Sequence, residues 1–220
     1  MESPDIFVAV DRYIDGLFAP EDEVLKAALE RSRAAGLPEI QISAGQGKFL
    51  YLLARLIGAR RILELGTLGG YSTIWLARAL PHDGRLTTLE FSPKHAEVAR
   101  ANLTRAHLSS KVEVVVGAAL ETLPGVIERA DAPFDLVFID ADKVNYPHYF
   151  AQVMRAVRPG SLLLADNVIR GGAVLDAIDE AAEATAAFNF TLADDDRLEA
   201  VILQQVGIKG HDGLAMARVK

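Results

Sequence analysis

Apolar residues along this chain first recur at helical spacing and then gather into short unbroken runs. Ile6, Val10, Tyr13, Ile14 and Leu17 share one helical stripe, broken at Ala19-Pro20. Val24, Leu25, Ala28 and Leu29 form a second stripe that ends near Gly36-Leu37-Pro38. The pattern predicts two helices within residues 3–35, a Gly- and Ser-rich loop over 37–47, and a third helix from Phe49 to Ile57. From there the pattern alternates. Apolar runs at 61–65, 86–90, 112–116, 135–139 and 161–165 read as strands, with helical stretches between them at 71–80, 93–107, 119–129 and 146–156. Such alternation means βαβ units and a parallel sheet, whose strands are buried on both faces and so read as continuous apolar runs. An Ala-rich helix is expected over 173–187. Two last runs, 198–204 and 213–219, flank Gly207-Ile208-Lys209-Gly210 and are too close for a crossover helix, so they pair antiparallel.

Composition narrows the class. A chain of 220 residues, half of them hydrophobic, suits one α/β domain over 1–220, with 1–35 as a helical extension and 36–220 as the core. The formal net charge of −7 disfavours a broad basic surface for nucleic acid. The absence of cysteine removes disulfides, thiolate metal sites and a cysteine nucleophile. His82, His95, His107, His148 and His211 have no close ligand spacing, which argues against a histidine zinc site. No apolar stretch reaches spanning length, and Met1-Glu2-Ser3-Pro4-Asp5 lacks a basic-then-apolar leader, so a soluble cytoplasmic protein is expected.

The chemistry gathers at strand ends. Asp140 follows Asp135–Ile139 directly, and Asp166-Asn167 follow Ser161–Ala165. Parallel sheets bind ligands just outside the carboxyl ends of their strands, and two neighbouring ends with three oxygen donors would hold a hard divalent cation. Taken singly, these residues read equally well as loop acids and helix caps. Upstream, Ile62-Leu63-Glu64-Leu65-Gly66 leads into Thr67-Leu68-Gly69-Gly70-Tyr71-Ser72. Glycines there let a ligand approach the backbone. The spacing is Gly-x-x-Gly-Gly, not the dinucleotide fingerprint, and Glu64 would repel a pyrophosphate while accepting hydrogen bonds from an ammonium. Glu90, at the end of the next strand, can accept both hydroxyls of a ribose. Gly117-Ala118-Ala119 would admit an adenine ring. The set indicates an adenosine-containing cofactor other than NAD; a glycine turn that only connects strand to helix is the alternative for that motif alone.

Together Glu64–Ser72, Asp140-Ala141-Asp142-Lys143 and Asp166-Asn167 resemble the cation-dependent O-methyltransferases, the group of the caffeoyl-coenzyme A and catechol O-methyltransferases and their bacterial relatives. The resemblance runs from about Ile42 to the C-terminus, where Asp212-Gly213-Leu214 is similar to the family's penultimate turn. It implies a Rossmann-like S-adenosylmethionine-dependent methyltransferase sheet of seven strands, one antiparallel, flanked by helices. It implies that the Ile42 backbone, Glu64, Gly66, Thr67 and Ser72 hold the cofactor's methionine part, Glu90 its ribose and Ala119 its adenine, with Asp140 and Asp142 beside it. Asp140, Asp166 and Asn167 would bind Mg²⁺, or Mn²⁺ or Ca²⁺ in its place. A homodimer and a role for residues 1–35 in the acceptor pocket follow from the same likeness. Departures lie on the acceptor side. Ile42 replaces a threonine of the plant members, Val144 replaces an acid, and Arg170-Gly171-Gly172 replaces Trp-Asn-Gly, suggesting a lightly built acceptor wall.

Methyl transfer to oxygen needs a nucleophile placed in line and stripped of its proton. A cation on the three donors would acidify a phenol and chelate two adjacent oxygens. Lys143 would take the proton, with Asp140 beside it; the alternative for Lys143 is a surface lysine paired with Asp142. The expected acceptor is therefore an ortho-dihydroxylated aromatic small molecule, such as catechol, caffeate or a flavonoid. Methylation of a hydroxylated transfer-RNA base and a non-catalytic cofactor-binding module are the alternatives. A coenzyme A ester is not indicated, since no basic cluster awaits its phosphates.

Overall fold

The computed structural model describes residues 4–220, so the start of the first helix at residue 3 and the reading of Met1-Glu2-Ser3 lie outside the described residues. Helices α1 (Pro4–Phe18), α2 (Glu23–Ala34) and α3 (Ala44–Leu56) precede the sheet. Strands β1 (Arg61–Leu65), β2 (Arg85–Glu90), β3 (Val112–Val116), β4 (Phe134–Ile139) and β5 (Val157–Ala165) alternate with α4 (Tyr71–Ala79), α5 (Pro93–Arg105), α6 (Ala119–Arg129) and α7 (Tyr146–Val153). Helix α8 (Glu180–Asp194) leads to the hairpin of β6 (Leu198–Gly207) and β7 (Gly210–Val219).

The strands form one sheet in the order β3-β2-β1-β4-β5-β7-β6. β1 to β5 are mutually parallel, and β7 runs antiparallel to both β5 and β6. This is the expected seven-stranded sheet with one antiparallel strand. Alternate residues of each central strand feed opposite layers. Ile62, Leu136, Phe138 and Leu164 face α2 to α5, packing with Leu50, Ile74, Leu76 and Leu103. Leu63, Leu65, Val137, Ile139 and Leu163 face α6 to α8, packing with Leu123, Tyr146, Tyr149 and Phe188. Burial on both faces explains the unbroken apolar runs, and each fully buried aliphatic residue contributes roughly 1.5–3 kcal/mol.

Register aligns the functional ends. Leu65 pairs with Ile139, and Ile139 with Ala165, so Gly66, Asp140 and Asp166 leave the sheet at one level. The Asp140 N–H donates to Leu65 O (2.8 Å) and the Asp166 N–H to Ile139 O (3.0 Å). The strand order reverses between β1 and β4, the switch point where open α/β sheets bind ligands.

Several boundaries differ from the sequence expectation. α3 begins at Ala44 rather than Phe49, because Ser43 caps it by accepting the Gln46 N–H (3.1 Å). The Ala-rich helix starts at Glu180 rather than 173. Gly171 and Gly172 have φ of +63° and +97°, confining 170–175 to a 3-10 turn, and Asp179 caps the helix further on. Phe188 and Leu192 then carry its buried face beyond the expected end at 187. Asp212-Gly213-Leu214 lies within β7, not in a turn. Among the described residues, no helix is long and apolar enough to cross a membrane.

Candidate active site

Two cavities adjoin at the strand ends. The larger, about 750 Å³, lies over β1, β2 and the start of α4. The smaller, about 410 Å³, lies between α1, the start of α3 and the tip of the β6–β7 hairpin. Ile40, Gln41, Ile42 and Asn167 line both. Asp140 faces the larger cavity and Asp166 the smaller, with Asn167 at the junction.

The larger cavity is shaped by the glycine turn. Gly66 has φ of +97°, and a Cβ there would run into the Asp140 carbonyl oxygen. The turn is held from below by Glu90. Its Oε2 accepts the N–H groups of Thr67 (3.1 Å) and Leu68 (2.7 Å), and its Oε1 accepts the Ser92 N–H (2.9 Å). His95 Nδ1 lies 3.3 Å from the same Oε1. Of the expected cofactor residues, Ile42, Gly66, Thr67, Ser72, Glu90, Ala119, Asp140 and Asp142 line this cavity. Thr67 does so chiefly through its backbone, since its hydroxyl is 2.5 Å from that of Thr88.

Glu64 stands behind this wall rather than on it. It is fully buried and accepts hydrogen bonds from the Ser72 hydroxyl (2.6 Å) and the Thr73 hydroxyl (2.5 Å). Burial pushes its pKa up to about 7, against the opposing pull of those hydroxyls. Its reach toward the cavity runs through Ser72.

The metal candidates come together as the register requires. Asp166 is buried, and desolvation, with the nearby Asp140 charge second, raises its pKa to about 6. A buried carboxylate with a half-buried one close enough to raise its pKa is a donor set that a divalent cation would neutralise. Asn167 has φ of +55°, a left-handed turn that directs the chain across the junction of the cavities. Among the described residues no cluster of three or more His, Cys, Asp or Glu side chains could hold a metal; the set here is two carboxylates and an amide. These hard oxygens fit Mg²⁺ or Mn²⁺.

Lys143 pairs with Asp140, not Asp142. Its Nζ donates to Asp140 Oδ1 (2.9 Å) and to the Tyr146 hydroxyl (2.8 Å), with only 12% of the side chain exposed. The Tyr146 hydroxyl in turn reaches the backbone carbonyl of Asp166 (2.9 Å), with that of Ile139 at 3.1 Å. Asp142 instead accepts from the Tyr149 hydroxyl and the Asn145 amide.

The smaller cavity holds residues that sequence reasoning missed. Asp11, Ile14 and Asp15 reach it from α1, and Gln46 from the first turn of α3. Ser43-Ala44-Gly45-Gln46 carries a capping-box spacing that could have revealed that helix start. Gln204, Gln205 and Lys209 enter from the hairpin. Arg170-Gly171-Gly172, expected as acceptor wall, lines neither cavity. Asp212 Oδ1 draws that segment aside by accepting the N–H groups of Ile169 (3.0 Å) and Arg170 (2.9 Å).

Known proteins resemble this chain in sequence and in fold. The O-methyltransferase family pattern matches residues 17–220. The chain is 52% identical over 217 residues to a catechol O-methyltransferase of Niastella koreensis, covering 98% of each chain. It is also 52% identical over 212 residues to a catechol O-methyltransferase of Mycobacterium tuberculosis, covering 96% of this chain and 95% of that one. Its fold superposes on the crystal structure of the O-methyltransferase from Bacillus cereus in complex with SAH at a TM-score of 0.96 and 46% identity, over 99% of this chain and all of the other. With the family pattern spanning the sheet, the strand-end acids and the whole lining of the larger cavity, the chain belongs to the O-methyltransferase family of enzymes.

Proposed function

We propose that the protein is a divalent-cation-dependent O-methyltransferase that moves a methyl group from S-adenosylmethionine to one hydroxyl of an ortho-dihydroxylated aromatic small molecule. The carrying observation is the junction: Asp140 on one cavity, Asp166 on the other and Asn167 on both. A donor held in the larger cavity and an acceptor in the smaller would meet there. The SAH-bound relative from Bacillus cereus and the two catechol O-methyltransferases support the choice of donor and acceptor class.

In this reading Gly66, Thr67, Ser72 and the Ile42 backbone hold the methionine part, with Glu64 steadying Ser72 from behind. Glu90 receives the ribose on oxygens that it already shares with the glycine turn, and Ala119 leaves room for the adenine. Asp140, Asp166 and Asn167 would hold the cation, which when bound supplies Lewis acidity to two adjacent acceptor oxygens. Lys143, fixed between Asp140 and Tyr146, is placed to receive the phenolic proton. We also propose a single catalytic domain over 1–220, with α1 and α2 as its acceptor-side and cofactor-side covers. A cytoplasmic setting is part of the same proposal. A homodimer is supported by the exposed apolar residues Val10, Tyr13 and Leu17 of α1 and Val201 and Leu203 of β6, the strand that α1 packs against; light scattering would report its mass.

The test is methyl transfer from labelled S-adenosylmethionine to catechol, to a matched mono-phenol and to bulk transfer RNA, with Mg²⁺ or with excess EDTA. Turnover is expected on catechol alone and only with the cation. Full turnover in EDTA, with metal content verified as nil, would overturn the cation; equal rates on the mono-phenol would overturn chelation.

A further inference from the structure

Lys143 and Tyr146 stand at the two ends of one 3-10 turn over Lys143–Asn145, closed by the Tyr146 N–H donating to Lys143 O. Side chains three residues apart eclipse in such a turn, so the lysine and the tyrosine rise from the same side of it. The Tyr146 ring is fully buried, and Phe188 of α8 meets it edge-on with ring centres 5.3 Å apart. Phe150 braces Phe188 in the same manner at 6.0 Å. The ring is clamped, and its hydroxyl with it.

That hydroxyl meets Lys143 Nζ at 2.8 Å, Asp166 O at 2.9 Å and Ile139 O at 3.1 Å. A phenol has a single hydrogen, and carbonyl oxygens only accept, so the hydrogen goes to a carbonyl. Asp166 O is the nearer, and Ile139 O already accepts the Asp166 N–H (3.0 Å). The oxygen's lone pairs are then left for Lys143, from which they accept an N–H. The Asp140 carboxylate, also an acceptor, takes another at 2.9 Å. Among the described residues Nζ has no further hydrogen-bond partner. Two of the three positions around the nitrogen beyond its own carbon are thus fixed by the protein. The remaining one is left to the larger cavity, which Lys143 lines beside Asp140 and Asn167.

Resting on the reading of Lys143 as proton acceptor, we infer that Tyr146 is its positioning residue, whose hydroxyl aims the free position of the Lys143 nitrogen at the acceptor's phenol. The phenolic O–H bond breaks, and its proton forms an N–H bond with the lone pair at that position. The oxygen keeps the bonding pair and with it bonds the methyl carbon, as the carbon–sulfur bond breaks and its pair returns to sulfur. Asp140 alone would not fix the direction, because a lysine amine turns freely about one hydrogen bond. The second bond, to a clamped aromatic side chain, removes that rotation. It also ties the amine to the main chain of Asp166, the strand end that carries the proposed cation ligands.

The test compares catechol with a nitro-substituted catechol, whose phenol gives its proton to mildly alkaline buffer and needs no base. Single-turnover rates are measured with Mg²⁺ and labelled S-adenosylmethionine. Tyr146→Phe keeps the ring against Phe188 and removes the hydroxyl alone. It should slow methylation of catechol roughly ten- to a hundredfold, the worth of one hydrogen bond to a charged group, and that of the nitrocatechol less than about threefold. Calorimetry should find Mg²⁺ and S-adenosylmethionine bound within about twofold of wild type. Lys143→Ala should discriminate between the acceptors in the same sense, with a larger loss. A Tyr146→Phe enzyme that slows on both acceptors equally, or on neither, while Lys143→Ala discriminates, would overturn the positioning role and keep the base. Equal losses on both acceptors in Lys143→Ala would overturn the base and the positioning role together. Should Tyr146→Phe fold poorly, Phe188→Leu carries the test, since it loosens the ring and leaves the hydroxyl. A loss confined to catechol is expected there, and a loss shared by both acceptors would overturn the inference.

Discussion

The larger cavity, proposed for the cofactor, stands on strand ends locked in register, whereas the smaller, proposed for the acceptor, is assembled from pieces far apart in the chain. Gly66, Glu90 and Asp140 are fixed by ladder hydrogen bonds of a sheet buried on both faces. The acceptor side joins α1, the first turn of α3 and a hairpin tip nearly two hundred residues away, through contacts such as Asp11 to the Ile208 N–H. Such a division allows one side to keep a constant donor while the other varies its acceptor, because local changes in loops and termini cost the sheet little. Substitutions should therefore fall into two classes. Those at strand ends damage chemistry or stability broadly; those on α1 and the hairpin alter the acceptor and little else.

The largest effect is expected at Lys143. Lys143→Ala should lower kcat by roughly 10²–10⁴, the worth of a positioned acid–base group, and leave cofactor affinity nearly unchanged. Single-turnover rates at saturating acceptor would measure it. A loss well under tenfold would mean that the cation alone acidifies the acceptor, removing Lys143 from the proton's path.

Gly66→Ala comes next and should act on both fold and cofactor. It combines a left-handed backbone with a clash against the Asp140 carbonyl, so β1 or β4 must shift. The cost should be roughly 3–4 kcal/mol of stability. Denaturant titration should show a lower midpoint at an unchanged slope, and calorimetry a weaker donor. Wild-type stability in this variant would show that the two strand ends are less tightly coupled than their register implies.

This contrast also explains what the sequence reveals. The strand ends were legible because burial on both faces forces unbroken apolar runs, and each run stops where its functional residue begins. Glu64 was legible as a site residue but not as a buried one; its position behind Ser72 depends on α4 packing over β1. Gln46 was hidden because Ser43 starts α3 five residues before the first apolar position of its stripe. Asp15 and Asp11 sit among polar residues of α1 that look like a solvated face, and only the tertiary fold brings the hairpin against them. Arg170-Gly171-Gly172 was misplaced because Asp212, distant in sequence, captures its backbone.

A third test separates stability from chemistry on the cofactor side. The Glu64 carboxyl has an ordinary pKa of 4.5 and a native one of about 7, raised by burial. Between those values the native protein holds a proton that the unfolded chain has released. Stability from this group is therefore greatest at or below the unfolded pKa and is lost as pH rises through the native one, by about 3 kcal/mol in full. Glu64→Gln stays neutral throughout. The stability difference between wild type and variant should change by that amount between pH 4 and pH 8. Parallel curves would mean that Glu64 is ionised in the native protein.

The smallest effect belongs to the acceptor side and tests whether that side is modular. Asp11 Oδ2 accepts the Ile208 N–H at 2.8 Å, and Lys209 reaches Glu39 O, so α1 and the loop before α3 together hold the hairpin tip over the smaller cavity. Asp11 is only half-buried, which moderates the strength of its charge-assisted bond. Asp11→Ala should cost about 1 kcal/mol at most, because the hairpin's own ladder from Leu198 to Val219 remains intact. The freed tip should raise the acceptor KM several-fold, while donor affinity and the kcat at saturating acceptor stay near wild type. That pattern would show the acceptor cavity yielding without disturbing the strand ends. A matching loss of donor affinity would show instead that the hairpin and the glycine turn are coupled through Ile40–Ile42, the wall they share, and that the two cavities are one mechanical unit.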